Sequence, residues 1–587
     1  MACLGVALGL GLWTSCDYSR QRLDELPSAS GRLAVLPSHE VAKSVPGSGP
    51  SQPRDASRDS SEKAAILTSS IELIQGAALQ PGGDNFRLAT QKLNQYFEGT
   101  AVSEYQLDSA ARTYLETQLD PSIVRLFQQS EWNAREDTRH LEDCMLYQSI
   151  AGRVAGTGDD LARVRRLFDW IVRQVQLVPA GSLNSRQLPQ VIARPYDVLL
   201  RGLATEAEGF WAERSWLFME LCRQLGIEVG LLTYTRGNTV EPRFPSLDPY
   251  SILTNRLLRA STTNKQAITW ICAALVDGHA YLFDARIGLP IPGPDGQGVA
   301  TLEEALADPA ILERMDLPSQ SPYFTSRASL LASPTKIGVL LDSSPGFFAP
   351  KMRLLQRELS GKNRTILYRD AALERDHFAS VLGPWCGEVK LWAIPMSVIN
   401  QLFTRPQFTE STMQTLLLFR PEFPLVFARI KQLRGELREA VEAYVSFRLI
   451  ENLTQVDGKD KIIRKDIKDA LDVYATNYLA LAQLELNNPD QARKMLHRLV
   501  EMVPSGGLIP ANLLQKCYMF GWGAHANLGR IYESQGDFRS AIEHYGQFDP
   551  TMQHHGNLLR ARELVWQDPW APAADSAAKA AASQASK

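Results

Sequence analysis

The sequence predicts a multidomain α+β protein: a helical N-terminal region, an α+β core, a small α/β lobe and a C-terminal α-solenoid. Three observations carry this prediction. The chain has 587 residues, and at ~100–200 residues per domain that length implies several folding units. Apolar residues recur at helical spacing on both sides of a middle stretch where the pattern turns to short strand-like runs. Beyond residue 411 the pattern becomes a series of helical hairpins. A hydrophobic content of 44% with 22% charged residues is ordinary for globular proteins, so most of the chain should fold. The formal charge is −3 with no dense Lys/Arg block, which leaves no electrostatic footprint for nucleic acid.

The first segment, residues 1–16, reads as a targeting signal. Cys3 to Trp13 is an unbroken apolar and glycine run, too short to cross ~30 Å of hydrocarbon as a permanent anchor. It is followed by Thr14-Ser15-Cys16-Asp17. Small residues before a cysteine resemble a bacterial lipobox, and on that resemblance Cys16 would be the lipidated first residue of the mature chain. Trp13 departs from the aliphatic residue a lipobox carries, and no Lys or Arg precedes the run. Residues 17–63 follow, rich in Ser, Pro and charge, the composition of a flexible spacer.

From 64 to 158, helical spacing (Ile66, Ile71, Ile74; Leu93, Tyr96, Phe97; Ile123, Leu126, Phe127) predicts a helical region. The α+β core is expected over 159–310. It opens with an amphipathic helix capped by Asp159, with a stripe of Leu161, Val164, Phe168, Ile171 and Val175. A second helix ends at Gly226 and leads into the strand IEVGLLTYT. Two further strands, Thr269 to Leu275 and His279 to Asp284, flank Asp277-Gly278, a dipeptide suited to a two-residue hairpin turn. The separate small lobe, 311–410, is read as KIGVLLD, RTILYRD and VKLWAIP strands with APKMRLLQRELS as a helix. Gly361-Lys362-Asn363 lacks the glycine spacing of a phosphate loop.

Residues 411–567 contain three copies of one pattern. The last, AHANLGRIYESQGDFRSAIEHYGQFDP, carries Leu528, Gly529 and Tyr532 on a first helix, Gly536-Asp537 at the turn, and Ala541 and Tyr545 on a second. It resembles the tetratricopeptide repeat. Small Gly529 and Ala541 would let two helices approach, while the large residues fill the gap between hairpins. Earlier copies carry Ala428, Gly435, Ala440 and Tyr444, then Leu479, Ala480, Ala492, Leu496 and Pro504. The second-helix alanines 440, 492 and 541 lie 52 and 49 residues apart, so QVDGKDK and VPSGGLIPANLLQ are insertions between hairpins. The Ala/Ser-rich tail, 568–587, offers no core positions.

Seven cysteines are present: Cys3, Cys16, Cys144, Cys222, Cys272, Cys386 and Cys517. Their wide spacing offers no metal-ligand cluster, so neither a metal nor another cofactor is expected. The region from Asp159 to Glu304 resembles the transglutaminase-like superfamily of the papain-like fold. The residues carrying that likeness are LARVRRLFDWIVRQVQL, then LFMELCRQLGIEV, then VDGHAYLFDA. The resemblance implies a Cys at the N-terminus of the second helix, a His on the next strand and an Asp after it: a dipole-activated thiolate, its base and the base's orienting carboxylate. Matching LCRQLGI and VDG to the family places Trp211, Thr269 and Asp284 at those positions. Indole offers no nucleophile, and a threonine hydroxyl is no base near neutral pH.

No nearby residue restores the pair. Cys222 lies ~16 Å along the helix from Trp211 at 1.5 Å per residue. His279 and Asp284 are five apart on one strand, hence on opposite faces. Glu208, Glu213 and Arg214 read as caps or ion-pair partners. The expected function is therefore a non-catalytic protein-binding or assembly module of the bacterial cell envelope or periplasm, binding a protein partner through the repeats and the membrane through Cys16. Two alternatives stay open: an active cysteine-type hydrolase or acyl transferase with a rearranged site, and a purely structural envelope protein.

Overall fold

A computed structural model describes residues 56–77, 84–178, 192–205, 212–235, 267–317, 322–404, 425–449, 453–456, 459–462, 465–503 and 518–567. Cys16, Trp211, Cys517 and the 568–587 tail lie outside them. The protein is a mixed helix and sheet fold with a helical C-terminal region. Helix α1 (Ala56–Ala77) begins inside the stretch expected to be spacer. No Gly or Pro interrupts the sequence between Ala56 and Gly76, so nothing there breaks a helix. Then follow α2 (Asp84–Tyr96), α3 (Ser109–Gln118), α4 (Pro121–Phe127), α5 (Asp137–Ala155) and α6 (Asp160–Gln174). On α6 the Asp159 carboxylate accepts from Ala162 N, and Val164, Leu167, Phe168 and Ile171 are buried.

Strand β1 (Gln176–Val178) leaves α6 and pairs in parallel with β2 (Leu203–Thr205), which follows α7 (Pro195–Arg201). Every residue of the next helix, α8 (Ala212–Arg223), is buried, its charged residues included, so α8 is a central helix with no face to solvent. The main sheet begins with β3 (Val229–Thr235), β4 (Ala267–Val276), β5 (His279–Asp284) and β6 (Leu289–Pro290). Asp277 and Gly278 turn between β4 and β5 at φ 49° and 77°, the geometry of a primed two-residue turn. Short helices α9 (Leu302–Ala307), α10 (Pro309–Glu313) and α11 (Arg327–Leu331) come next, then β7 (Ile337–Leu341), α12 (Pro350–Glu358), α13 (Ala371–Leu382), β8 (Cys386–Leu391) and α14 (Ala393–Thr404).

The separate lobe expected over 311–410 does not form. The six strands make one sheet in the order β6-β5-β4-β3-β7-β8, antiparallel except for the β7–β8 pair. All seven residues of β3 are buried, and without β7 that apolar strand would be an open edge. Two details of the expected lobe also change. RTILYRD forms no strand, because side chains occupy its backbone: Gln224 bonds both Ile366 N (3.0 Å) and Ile366 O (3.0 Å), and Gln356 Oε1 accepts from Leu367 N and Tyr368 N. VKLWAIP splits, with β8 ending at Leu391 and α14 starting at Ala393; Ser343 Oγ accepts from Met396 N in the first turn of α14, satisfying one orphan donor.

Each face of the sheet carries its own core. Leu231, Cys272, Ala274 and Phe283 pack with α6 and α8 through Phe168, Trp216 and Phe218. Leu232, Trp270, Leu282 and Val339 pack on the other side with Tyr114, Phe378, Leu306 and Leu558. The hairpin series follows: α15 (Leu425–Arg434) with α16 (Leu437–Leu449), a short antiparallel ribbon of β9 (Leu453–Val456) and β10 (Lys459–Ile462), α17 (Lys465–Glu485) with α18 (Pro489–Met502), α19 (Tyr518–Ser534) with α20 (Phe538–Tyr545), and α21 (Gln553–Gln567). The ribbon occupies the QVDGKDK insertion. Among the described residues no helix is long and apolar enough to cross a membrane.

Candidate functional site

Within each hairpin the helices meet on small residues. Ala440, Ala492 and Ala541 are fully buried, as are Leu528 and Tyr545, while Tyr532 is half-buried. At Gly529 a Cβ would stand 2.6 Å from the Tyr545 ring, closer than a real side chain tolerates. Asp537 caps α20 by accepting from Ser540 N at 3.1 Å. Tyr444, Tyr474, Tyr478 and Phe520 pack between successive hairpins.

The first helix of every hairpin also grips the chain's own core. Arg429 of α15 donates from Nε to Leu199 O (3.0 Å) and from Nη1 to Gln174 Oε1 (2.9 Å). Tyr478 of α17 donates its hydroxyl to Leu200 O at 2.8 Å, and Asn527 of α19 donates to Arg173 O at 3.4 Å. These carbonyls belong to the C-terminal turns of α6 and α7, which no intrahelical donor can satisfy. Glu485, at the end of α17, accepts from Trp170 Nε1 (3.2 Å), Gln174 Nε2 (3.0 Å), Gln432 Nε2 (2.9 Å) and Arg153. Val178 and Leu203 of the small parallel pair sit inside the array's apolar cluster.

The last helix hooks into the opposite end of the sheet. Gln553 donates to Ile287 O (2.9 Å) and accepts from Arg214 Nη1 (2.9 Å). Gly556 packs so tightly that a Cβ would lie 1.9 Å from Ile287 O. His555 meets Met315 O at 2.7 Å and Arg562 donates to Asp316 O at 2.7 Å. Beside this hook Asp549 accepts from Thr551 N (2.8 Å) and Gln176 Nε2 (3.4 Å); burial raises its pKa to about 6 against those hydrogen bonds.

The positions that the transglutaminase resemblance singles out hold no assembled machinery among the described residues. Asp284 is fully buried and takes Arg286 Nε (3.0 Å), Arg286 Nη2 (2.7 Å) and the Tyr323 hydroxyl (2.7 Å). Thr269 is half-buried on β4 opposite Thr233. His279 is exposed at the far end of β5 from Asp284. Cys222 is fully buried, and burial drives its thiol well above the ordinary range; Cys144 behaves alike, and Cys272 is pushed up to about 12. Such thiols are not nucleophiles near neutral pH. Glu213 accepts from Ala193 N at 2.5 Å and pairs with Arg201 at 3.5 Å, and Arg214 donates to Ala285 O at 3.0 Å and to Val175 O.

The first-helix side of the array therefore grips the ends of the chain's own helices α6 and α7. Residues 478–505 match the tetratricopeptide repeat family. That span covers the end of α17 from Tyr478 onward and all of α18, so the match falls on the middle hairpin; the hairpins on either side also meet on small buried residues. Searches among curated proteins and among solved structures found no match. Sequence reasoning missed the gripping residues Arg429, Gln432, Tyr478 and Glu485. Part of their signal was present: Arg429 and Gln432 fall three residues apart in LVFARIKQLR, a polar pair on one helix face.

Proposed function

We propose that the chain is a non-catalytic protein-binding or assembly module, in which tetratricopeptide hairpins are joined to a degenerate transglutaminase-like domain. The tetratricopeptide match at 478–505 carries this reading, because such hairpins stack into surfaces that hold polypeptide. The core already fills the first-helix side of the array. A partner would therefore meet the second-helix side, where Val445 and Met502 are exposed, with Phe548 exposed in the loop after α20. Deeply buried thiols at Cys144, Cys222 and Cys272 argue against cysteine chemistry at those positions.

The proposed setting is the bacterial envelope or periplasm, with Cys16 as a lipid attachment point. That part rests on the Cys3–Trp13 run and the residues after it. Affinity capture with the full-length protein from detergent-solubilised membranes tests the binding function, with a Met502→Asp, Phe548→Asp double variant as comparison. One protein enriched with wild type and lost with the double variant is expected; equal recovery with both rejects the second-helix surface. Radiolabelled palmitate incorporation lost in Cys16→Ser is expected for lipidation, and an unlabelled wild type rejects it.

A further inference from the structure

We propose that His525 and His544 form a two-histidine site for a late first-row divalent ion of the Cu(II) or Ni(II) class, built into the last tetratricopeptide hairpin. Nδ1 of His525 lies 3.0 Å from Nδ1 of His544, with ring centroids 5.2 Å apart. Two imidazole nitrogens at that separation, each ~2.0–2.1 Å from one ion, subtend roughly 90–95° at it. That is the cis angle of a square-planar or octahedral ion, and it falls short of the ~109° of tetrahedral zinc.

The pair is preorganised. His525 stands on α19 and His544 on α20, helices pressed together where Gly529 meets Tyr545. Tyr532 stacks on His544 at 5.4 Å, and its hydroxyl and His497 Nε2 share a 3.0 Å hydrogen bond. The His497 ring, on α18, is 5.6 Å from that of His544, a third imidazole beside the pair. Among the described residues no group of three His, Cys, Asp or Glu already encloses a metal position; the site is the pair, completed by water or by His497. Burial lowers both imidazoles to about 4, aided at His525 by the charge of His497 and at His544 by those of His525 and His497.

Equilibrium dialysis of the untagged full-length protein against CuCl2 and NiCl2 near neutral pH tests this. One ion retained per chain is expected. His525→Gln and His544→Gln should each weaken binding at least tenfold, whereas His554→Gln, outside the pair, should not. The Cu(II) complex should show electron paramagnetic resonance splitting from at least two imidazole nitrogens, a readout on the wild type that stands even where a variant fails to fold. Absence of saturable binding, unchanged affinity in both pair variants, or splitting from fewer than two nitrogens overturns the proposal.

Discussion

Gly529 lies face-on to the ring of Tyr545, with no room for even one added carbon between them: a Cβ would come within 2.6 Å of both Cδ1 and Cε1. Gly529→Val must therefore force α19 and α20 apart. Ala541, fully buried, is constrained similarly. Overpacking of this kind costs ~1–3 kcal/mol. Thermal unfolding of Gly529→Val and Ala541→Leu should show a lowered Tm, while Gln547→Ser on the surface leaves it unchanged. Unaltered melting in both core variants would mean that these helices are not packed as described.

Glu485 takes four donors from α5, α6 and α15 while its side chain is 8% exposed. Glu485→Ala strands those donors, including the Arg153 guanidinium. Removing one partner of a buried ion pair costs ~3–5 kcal/mol, and the partial exposure of Arg153 places the expected loss near the lower figure. Chemical denaturation should show a lower midpoint with one transition, because array and core share the network. Two separated transitions in the wild type would contradict a shared unit.

Asp549 has a folded pKa of about 6, raised above its unfolded value. Its stabilising contribution is complete below the unfolded pKa and is lost as pH climbs through about 6, since ionisation then occurs more readily in the unfolded chain. Asp549→Asn keeps the acceptor for Thr551 N and removes the titration. Melting curves should show the variant matching wild type near pH 4 and exceeding it near pH 8, with ~1.4 kcal/mol per unit of pKa shift as the scale. A constant offset between the two proteins across that range would count against the assignment.

His140 and His554 move the other way, with folded pKa values lowered to about 4 by burial. The unfolded chain takes up their protons from about pH 6.5 downward while the folded chain does not. Acid should therefore destabilise the protein between about pH 6.5 and 4, and His140→Gln should flatten that part of the profile. An unchanged acid limb in the variant would exclude His140 as a contributor.

Cys222 is fully buried with a raised thiol pKa. Iodoacetamide should leave it unlabelled in the native protein and modify it in urea, as peptide mass spectrometry would record. Rapid native labelling at Cys222 would revive the reading as a cysteine enzyme.

The helices and the β4–β5 hairpin were legible in the sequence because their signals are local: Asp159 begins α6, and Asp277-Gly278 turns one strand into the next. The partnership of β3 with β7 was not, since Leu231 and Leu340 are paired across a hundred residues and nothing in IGVLL names its neighbour. RTILYRD misled for a related reason. Its β-branched and aromatic residues suit a strand, yet the distant side chains of Gln224 and Gln356 occupy its backbone. The small residues of the hairpins were readable as a pattern. Which face of the array would lie against α6 and α7 depended on donors such as Arg429 and Tyr478, whose acceptors are backbone carbonyls that leave no mark on composition.

The close seating of Gly556 on Ile287 has a bearing on how the chain is made. Synthesis delivers the sheet long before α21, so Ile287, Met315 and Asp316 leave the ribosome with the groups that will cover them still untranslated. At ~5–20 residues per second that interval lasts on the order of ten seconds to a minute. Throughout it, the part of the sheet's apolar face that Leu558 and Leu559 will cover stands open, while Tyr114, Leu306 and Phe378 can already cover the rest. A stop codon anywhere in the final hairpins would make that exposure permanent, and the cell would meet the product as a substrate for chaperones and proteases.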